Sequence, residues 1–295
     1  MKTAMLILML PAALAVTEAA SFYARNRNNG TIVSSGERRE YLLHVPRTLD
    51  RAKPAALVLS LHGAGGWPAM QRDVSRWNDL ADREGFIVAY PAGRDAPGPR
   101  VWHMGGERDP QYIADLIDKL RAEHDIDPNR IYANGLSNGG GMSFALSCRL
   151  PDRFAAIGMV GAALLLPSTW CKATEPVPMI GIHGLRDTAA PYHGGPSWVA
   201  PHFEPFLAFG AGWARRNRCA PDPPDVEIRD GVTRREYEQC ADDATVVLYT
   251  LRDGGHTWPG GAELPEWFLG KTIEDFDATA AMWRFFEQHP QRGTN

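Results

Sequence analysis

Short apolar runs recur along the chain at residues 40–45, 55–61, 86–90, 130–134, 155–160, 178–182 and 245–251. Most are continuous rather than alternating, as strands covered on both faces should be. Helix-like stretches separate them at 71–84, 111–124 and 139–150, and a last amphipathic stretch at 273–288 closes the pattern. In the second stretch Ile113, Leu116, Ile117 and Leu120 fall at i, i+3, i+4 and i+7, making one apolar stripe that leaves Asp115, Asp118, Lys119 and Arg121 to solvent. Strands alternating with helices predict an α/β fold: a mostly parallel central sheet with helices on both faces. Ligands of such sheets bind at the carboxyl ends of the strands. Two segments fall outside the pattern. Residues 95–109 are rich in Pro and Gly, and residues 192–212 carry many aromatics with little periodicity, which predicts an ordered cover near the site.

The chain has 295 residues, enough for one large core, and its net charge of −4 with no long basic run excludes the electrostatic footprint of a nucleic-acid binder. At the N-terminus Lys2 precedes an apolar run, residues 4–16, and small-residue sites at 13–15 or 17–19. This reads as a signal peptide over 1–19, followed by a single catalytic domain over 20–295. About thirteen apolar residues are too few to span a bilayer, so a secreted or periplasmic protein without stable membrane association is expected. Export favours disulfides. Cys148, Cys171, Cys219 and Cys240 allow three pairings, and proximity favours 148 with 171 and 219 with 240, each loop worth roughly 3 kcal/mol in the chain-entropy model. The competing zinc reading lacks a C-x-x-C pair.

A strand-like run at 130–134 leads into Gly135-Leu136-Ser137-Asn138-Gly139-Gly140 and then a helix-like run. That context makes the G-x-S-x-G match a candidate nucleophile elbow, a strained strand-to-helix turn that lifts a serine hydroxyl clear of the sheet. A serine needs a base, and the base needs an orienting acid. Asp187 follows the strand-like run 178–182, and His256 follows the run 245–251, so Ser137, Asp187 and His256 stand in the order Ser, Asp, His, each after a strand. Asp253 is the rival acid, and His183, His193 and His202 are rival bases; His183 follows its strand at once and reads as structural support for Asp187. The developing oxyanion calls for two N–H donors. Asn138 supplies one, and the Gly-rich loop after the 55–60 run, Leu61-His62-Gly63-Ala64-Gly65-Gly66, supplies the other, with Ala64 first and Gly63 next.

These blocks, LHGAGG at 61–66, GLSNGG at 135–140, HGLRDTAAPYHGG at 183–195 and GGHTWPGG at 254–261, resemble those of the poly(3-hydroxybutyrate) depolymerase-like esterases. That group lies close to the feruloyl and acetylxylan esterases of carbohydrate esterase family one. The likeness covers about residues 35–288. It implies an α/β-hydrolase fold, cofactor-free and metal-free ester cleavage, the triad Ser137, Asp187 and His256, and the two disulfides favoured by proximity. A small-molecule or polymeric ester is the implied substrate: a hydroxyalkanoate ester, or a feruloyl or acetyl ester of plant polysaccharide. Trp67, Trp102 and Trp258, with the aromatic segment 198–209, are the candidate substrate-binding residues. Gly141, Trp67 and the acidic block reduced to Glu107 and Asp109 depart from the family pattern. Other classes compatible with these residues are an acyltransferase, a peptidase using the same triad, and a non-catalytic binding protein.

Overall fold

The computed structural model describes residues 26–94, 100–221 and 223–291; the expected signal peptide lies outside them. The described strands are β1 Gly30–Ser34, β2 Glu37–His44, β3 Ala55–Leu61, β4 Ile87–Pro91, β5 Ile126–Leu136, β6 Ala156–Val160, β7 Met179–Gly184, β8 Asp225–Arg229, β9 Val232–Tyr237 and β10 Val246–Leu251. They form one sheet in the order β1-β2-β4-β3-β5-β6-β7-β10-β9-β8. The six central strands, β4 to β10 in that order, pair in parallel, and antiparallel hairpins finish both edges.

The continuous apolar runs are explained by burial on both faces. Along β3, Leu57, Leu59 and Leu61 face one core while Ala56 and Val58 face the other. Along β5, Ile131 and Ala133 part from Tyr132 in the same way, as a period of two requires. Helices α3 (Arg108–Glu123), α4 (Asn138–Arg149) and α5 (Phe206–Arg216) cover the first face. The second lies under α1 (Pro68–Ser75), α2 (Trp77–Glu84) and α7 (Ala278–Gln288), while α6 (Glu266–Leu269) is a single exposed turn.

Three expectations need revision. The stretch 71–84 is two helices, not one, broken at Arg76 with φ 56°. The Ser75 carbonyl accepts from Thr279 Oγ1 at 2.5 Å, and Trp77 turns inward to donate Nε1–H to Asn134 Oδ1 at 3.1 Å and stack on Phe286. These buried contacts offset a left-handed residue that costs on the order of 1 kcal/mol. The aromatic segment 192–212 is only partly a cover: its second half opens α5, and Phe203, Phe206 and Phe209 are buried in the core. Finally, β1, β8 and β9 depart from the continuous apolar runs: β1 is short, with Ile32 and Val33 its apolar side chains, and β8 and β9 are largely exposed and charged. Their signal was the turn chemistry, Ser35-Gly36 and Asp230-Gly231, each joining strands whose last and first residues pair.

Of the Pro/Gly-rich segment 95–109, residues 95–99 lie outside the described residues, and the remainder is anchored by a buried ion pair. Arg39 Nη1 lies 2.9 Å from Asp109 Oδ1, both nearly inaccessible to solvent. Arg39 also donates to the Ala92 carbonyl and covers the Tyr112 ring at 4.0 Å, while Asp109 Oδ2 accepts from the His103 N–H. Both disulfides, Cys148–Cys171 and Cys219–Cys240, are formed. Arg39→Met strands a buried carboxylate and should cost about 3–5 kcal/mol in urea unfolding, whereas Arg39→Met with Asp109→Leu should recover most of that loss.

Candidate active site

Ser137 stands between β5 and α4 with φ 56° and ψ −118°, a conformation that L-residues adopt only under constraint. The constraint is visible. Ser137 N–H donates to the Val160 carbonyl at the end of β6, and its own carbonyl accepts from the Gly141 and Ala163 N–H groups. Two residues on, a Cβ at Gly139 would lie 2.2 Å from the Leu61 carbonyl oxygen, so only glycine lets the helix start this close to β3. The elbow is therefore locked to the strands on either side of β5.

Asp187 lies in the turn after β7, and His256 in the loop after β10, the neighbouring strand. His256 Nδ1 and Asp187 Oδ2 are 2.7 Å apart and both residues are buried. Asp187 Oδ1 accepts from the N–H groups of Ala189 and Ala190, and His183 Nε2 approaches Oδ2 at 3.2 Å. Burial opposes ionisation of Asp187, but the hydrogen bonds from His183 and then His256 outweigh it and hold the carboxyl well below its usual range. Asp253, the rival acid, pairs with Arg186 in solvent. Gly161, just past β6 with φ +47°, faces the pair: a Cβ there would stand 3.3 Å from both Asp187 Oδ2 and His256 Nδ1. Among the described residues no hydrogen bond joins Ser137 Oγ to His256. Between them lies the end of β6, where the Val160 carbonyl holds the Ser137 N–H and Gly161 presents no side chain to the Asp187–His256 pair.

Of the candidate oxyanion loop, it is Gly63 that the structure places against the elbow. Asn138 opens α4, where first-turn N–H groups lack intrahelical acceptors and the helix dipole favours negative charge. Gly63 in the loop after β3 abuts the elbow, its ideal Cβ 3.4 Å from Ser137 Cβ, and Ala64 follows in an exposed turn. The Asn138 side chain turns away from the site. Its Oδ1 accepts from Trp102 N–H at 2.6 Å and its Nδ2 donates to the Trp102 carbonyl. The Trp102 indole donates in turn to the His62 carbonyl at 3.0 Å, and the His62 ring holds Gly63 O through Nδ1 and Gly93 N–H through Nε2. Burial, the largest effect, lowers the His62 pKa from its ordinary 6.5 to about 4, so the ring stays neutral and keeps one donor and one acceptor.

These positions correct the substrate-binding expectation. Trp102 is 2% exposed and Trp258 is fully buried, its Nε1–H given to Thr279 Oγ1; both are framework, because an indole enclosed on all sides has no face left for a ligand. Trp67 is half-buried and donates to Asn26 Oδ1 at the rim of an open cleft beside the oxyanion loop, shared with Gly65, Gly66 and Arg100. Trp198 is 60% exposed and packs on Phe268. Sequence reasoning missed the linking roles of His62 and Asn138, and gave no hint of Gly161.

Gly161→Ala should lower kcat by about 10²-fold on any ester turned over, because the methyl group presses on the Asp187–His256 hydrogen bond and reacting geometry tolerates little displacement. His62 makes stability depend on pH in a definite direction. Its folded pKa lies below the unfolded value, so the unfolded chain binds the extra proton; the contribution is complete above about pH 6.5 and falls as pH drops toward 4, by about 3 kcal/mol in all. His289 is also lowered by burial, so the comparison to make is urea unfolding of wild type and His62→Gln across that window. The variant should show a markedly flatter dependence.

Residues 39–169 match the family model described as esterase PHB depolymerase. A protein named as an esterase, NocK of Nocardia uniformis subsp. tsuyamanensis, is 30% identical over 261 residues, covering 78% of this chain and 73% of that protein. Feruloyl esterase B of Piromyces equi is 30% identical over 230 residues, 74% of this chain but 42% of that protein, so the chain spans less than half of its length. Among solved structures, an acetyl xylan esterase from Aspergillus awamori superposes with a TM-score of 0.61 at 15% identity, covering 77% of this chain and 93% of that one; this is a likeness of fold. With its α/β-hydrolase sheet, the chain belongs to the esterase PHB depolymerase family and is a carboxylic-ester hydrolase.

Proposed function

We propose that the protein is an exported serine esterase that works through an acyl-enzyme. The observation that carries this reading is the buried 2.7 Å hydrogen bond between His256 Nδ1 and Asp187 Oδ2 at the carboxyl ends of the parallel strands, the end at which Ser137 is held at positive φ after β5. Ser137 Oγ attacks the ester carbonyl as His256 Nε2 takes its proton. Asp187 holds the imidazolium, and the N–H groups of Asn138 and Ala64 receive the oxyanion, each worth on the order of 3 kcal/mol. The alcohol leaves with the proton from His256. Water, deprotonated by the same histidine, then releases the acid.

The names of relatives support an acyl group such as feruloyl or acetyl carried on plant polysaccharide, and the family description supports a hydroxyalkanoate ester. Two disulfides and the apolar stretch at 4–16 support export. Among the described residues no helix is long and apolar enough to cross a membrane. The ordered sheet and its two covering layers support one catalytic domain over 20–295.

Wild type and Ser137→Ala are to be compared on methyl ferulate, a short-chain nitrophenyl ester and a hydroxybutyrate oligomer. The substitution should lower kcat by about 10⁴-fold or more on every ester that wild type cleaves. Retained activity would refute the serine mechanism; wild-type inactivity on all three would refute the substrate classes.

A further inference from the structure

We infer that His183 is a positioning residue of the reaction, a second N–H donor to the carboxylate that orients His256. This rests on the assignment of Ser137, Asp187 and His256 as the triad and adds a fourth member behind it. His183 is the penultimate residue of β7, four residues before Asp187, and is 2% exposed. Its Nε2 lies 2.8 Å from the Ala190 carbonyl and 3.2 Å from Asp187 Oδ2. Both neighbours are acceptors, so Nε2 carries the proton and shares it between them. Ala190 returns the contact, since its own N–H donates to Asp187 Oδ1. Imidazole, carboxylate and turn thus form one closed arrangement that leaves the carboxylate little freedom to rotate away from His256.

The other ring nitrogen shows what the imidazole is for. His183 Nδ1 is buried with no hydrogen-bond partner, and the ring otherwise packs on Tyr192 and Phe206 at centroid distances of 5.8 and 4.9 Å. An orphaned buried acceptor is unfavourable, and an apolar ring would fill that aromatic pocket without one. Only the Nε2–H does something a phenylalanine cannot. It draws on the oxygen, Oδ2, that also accepts from His256, so the two histidines compete for one acceptor.

That competition has a direction. With His183 donating, Asp187 is a weaker acceptor and a lower-lying acid; the hydrogen bond from His183 is the first of the influences that lower its pKa against burial. Removing the donor makes Oδ2 a stronger acceptor toward His256, favours the protonated imidazole, and moves the acid limb of the rate profile to higher pH. The other groups around the cluster leave this uncompeted: Gly161 after β6 presents no side chain, the Tyr192 hydroxyl is paired with the Thr250 hydroxyl, and Arg186 and Asp253 pair with each other in solvent.

The test is the pH dependence of kcat and kcat/KM on a short-chain nitrophenyl ester, with the full chain, for wild type, His183→Phe and His183→Gln, whose amide keeps an N–H. His183→Phe should lower kcat about tenfold with KM within about twofold, and raise the acid limb by about half a pH unit or more. His183→Gln should restore most of both. An unmoved acid limb in His183→Phe, or Phe and Gln variants that behave alike, would overturn the inference and leave His183 a packing residue. If His183→Phe does not fold, His183→Met takes its place; failure of both to fold assigns the residue to folding alone and also overturns it. Activity surviving Ser137→Ala is a separate outcome, because it removes the triad itself.

Discussion

Everything at the candidate site depends on the end of β6. The candidate nucleophile comes from β5 and the Asp–His pair from β7 and β10, so one strand must lie between them, and neighbouring strands are about 4.8 Å apart. That strand has to hold the serine without filling the gap. Val160 does the first through its carbonyl, which accepts the Ser137 N–H, and Gly161 does the second by presenting no side chain to Asp187 and His256. A backbone hydrogen bond and a missing Cβ thus keep the end of β6 open between the elbow and the Asp187–His256 pair.

Around this gap polar contacts hold the candidate site residues from behind, while His183 Nδ1 and Asn134 Nδ2 stay buried without partners. Asn138 links the elbow to the backbone of Trp102, Trp102 to His62, and His62 to both Gly63 and Gly93. The segment carrying Trp102 is in turn fixed at its far end by Arg39 and Asp109. A buried ion pair is a weak source of stability on its own. Here it specifies where the irregular residues 100–107 run, and they include Trp102, which couples the candidate oxyanion loop to the elbow. Asn134 continues the pattern beneath the elbow, accepting from both Ser60 and Trp77.

Aromatic residues illustrate how far pattern reading reaches. Trp67, Trp102 and Trp258 flank the chemistry in sequence, yet only Trp67 has a face near open solvent, beside the cleft at the oxyanion loop. Trp258 shares its motif with His256 because it anchors that loop to α7 through Thr279. Proximity in sequence marks residues that hold a site as readily as residues that touch its ligand, because a rigid loop needs a large buried anchor close to the group it presents.

The chain by itself determined the α/β architecture, the order Ser137, Asp187, His256, and the loop His62 to Gly66. These follow from local rules: period-two and period-3.6 burial, and turns that demand glycine. The paired hairpins at the sheet edges were written in Ser35-Gly36 and Asp230-Gly231, but short or charged half-exposed strands obscured them. What only the tertiary structure decided was which distant groups share an atom or a space. The convergence of His183 and His256 on one oxygen, the vacancy at Gly161 and the Arg39–Asp109 anchor each join segments far apart in sequence. No residue spacing encodes such meetings, because they depend on how the strands are ordered across the sheet and on which side of it each loop emerges.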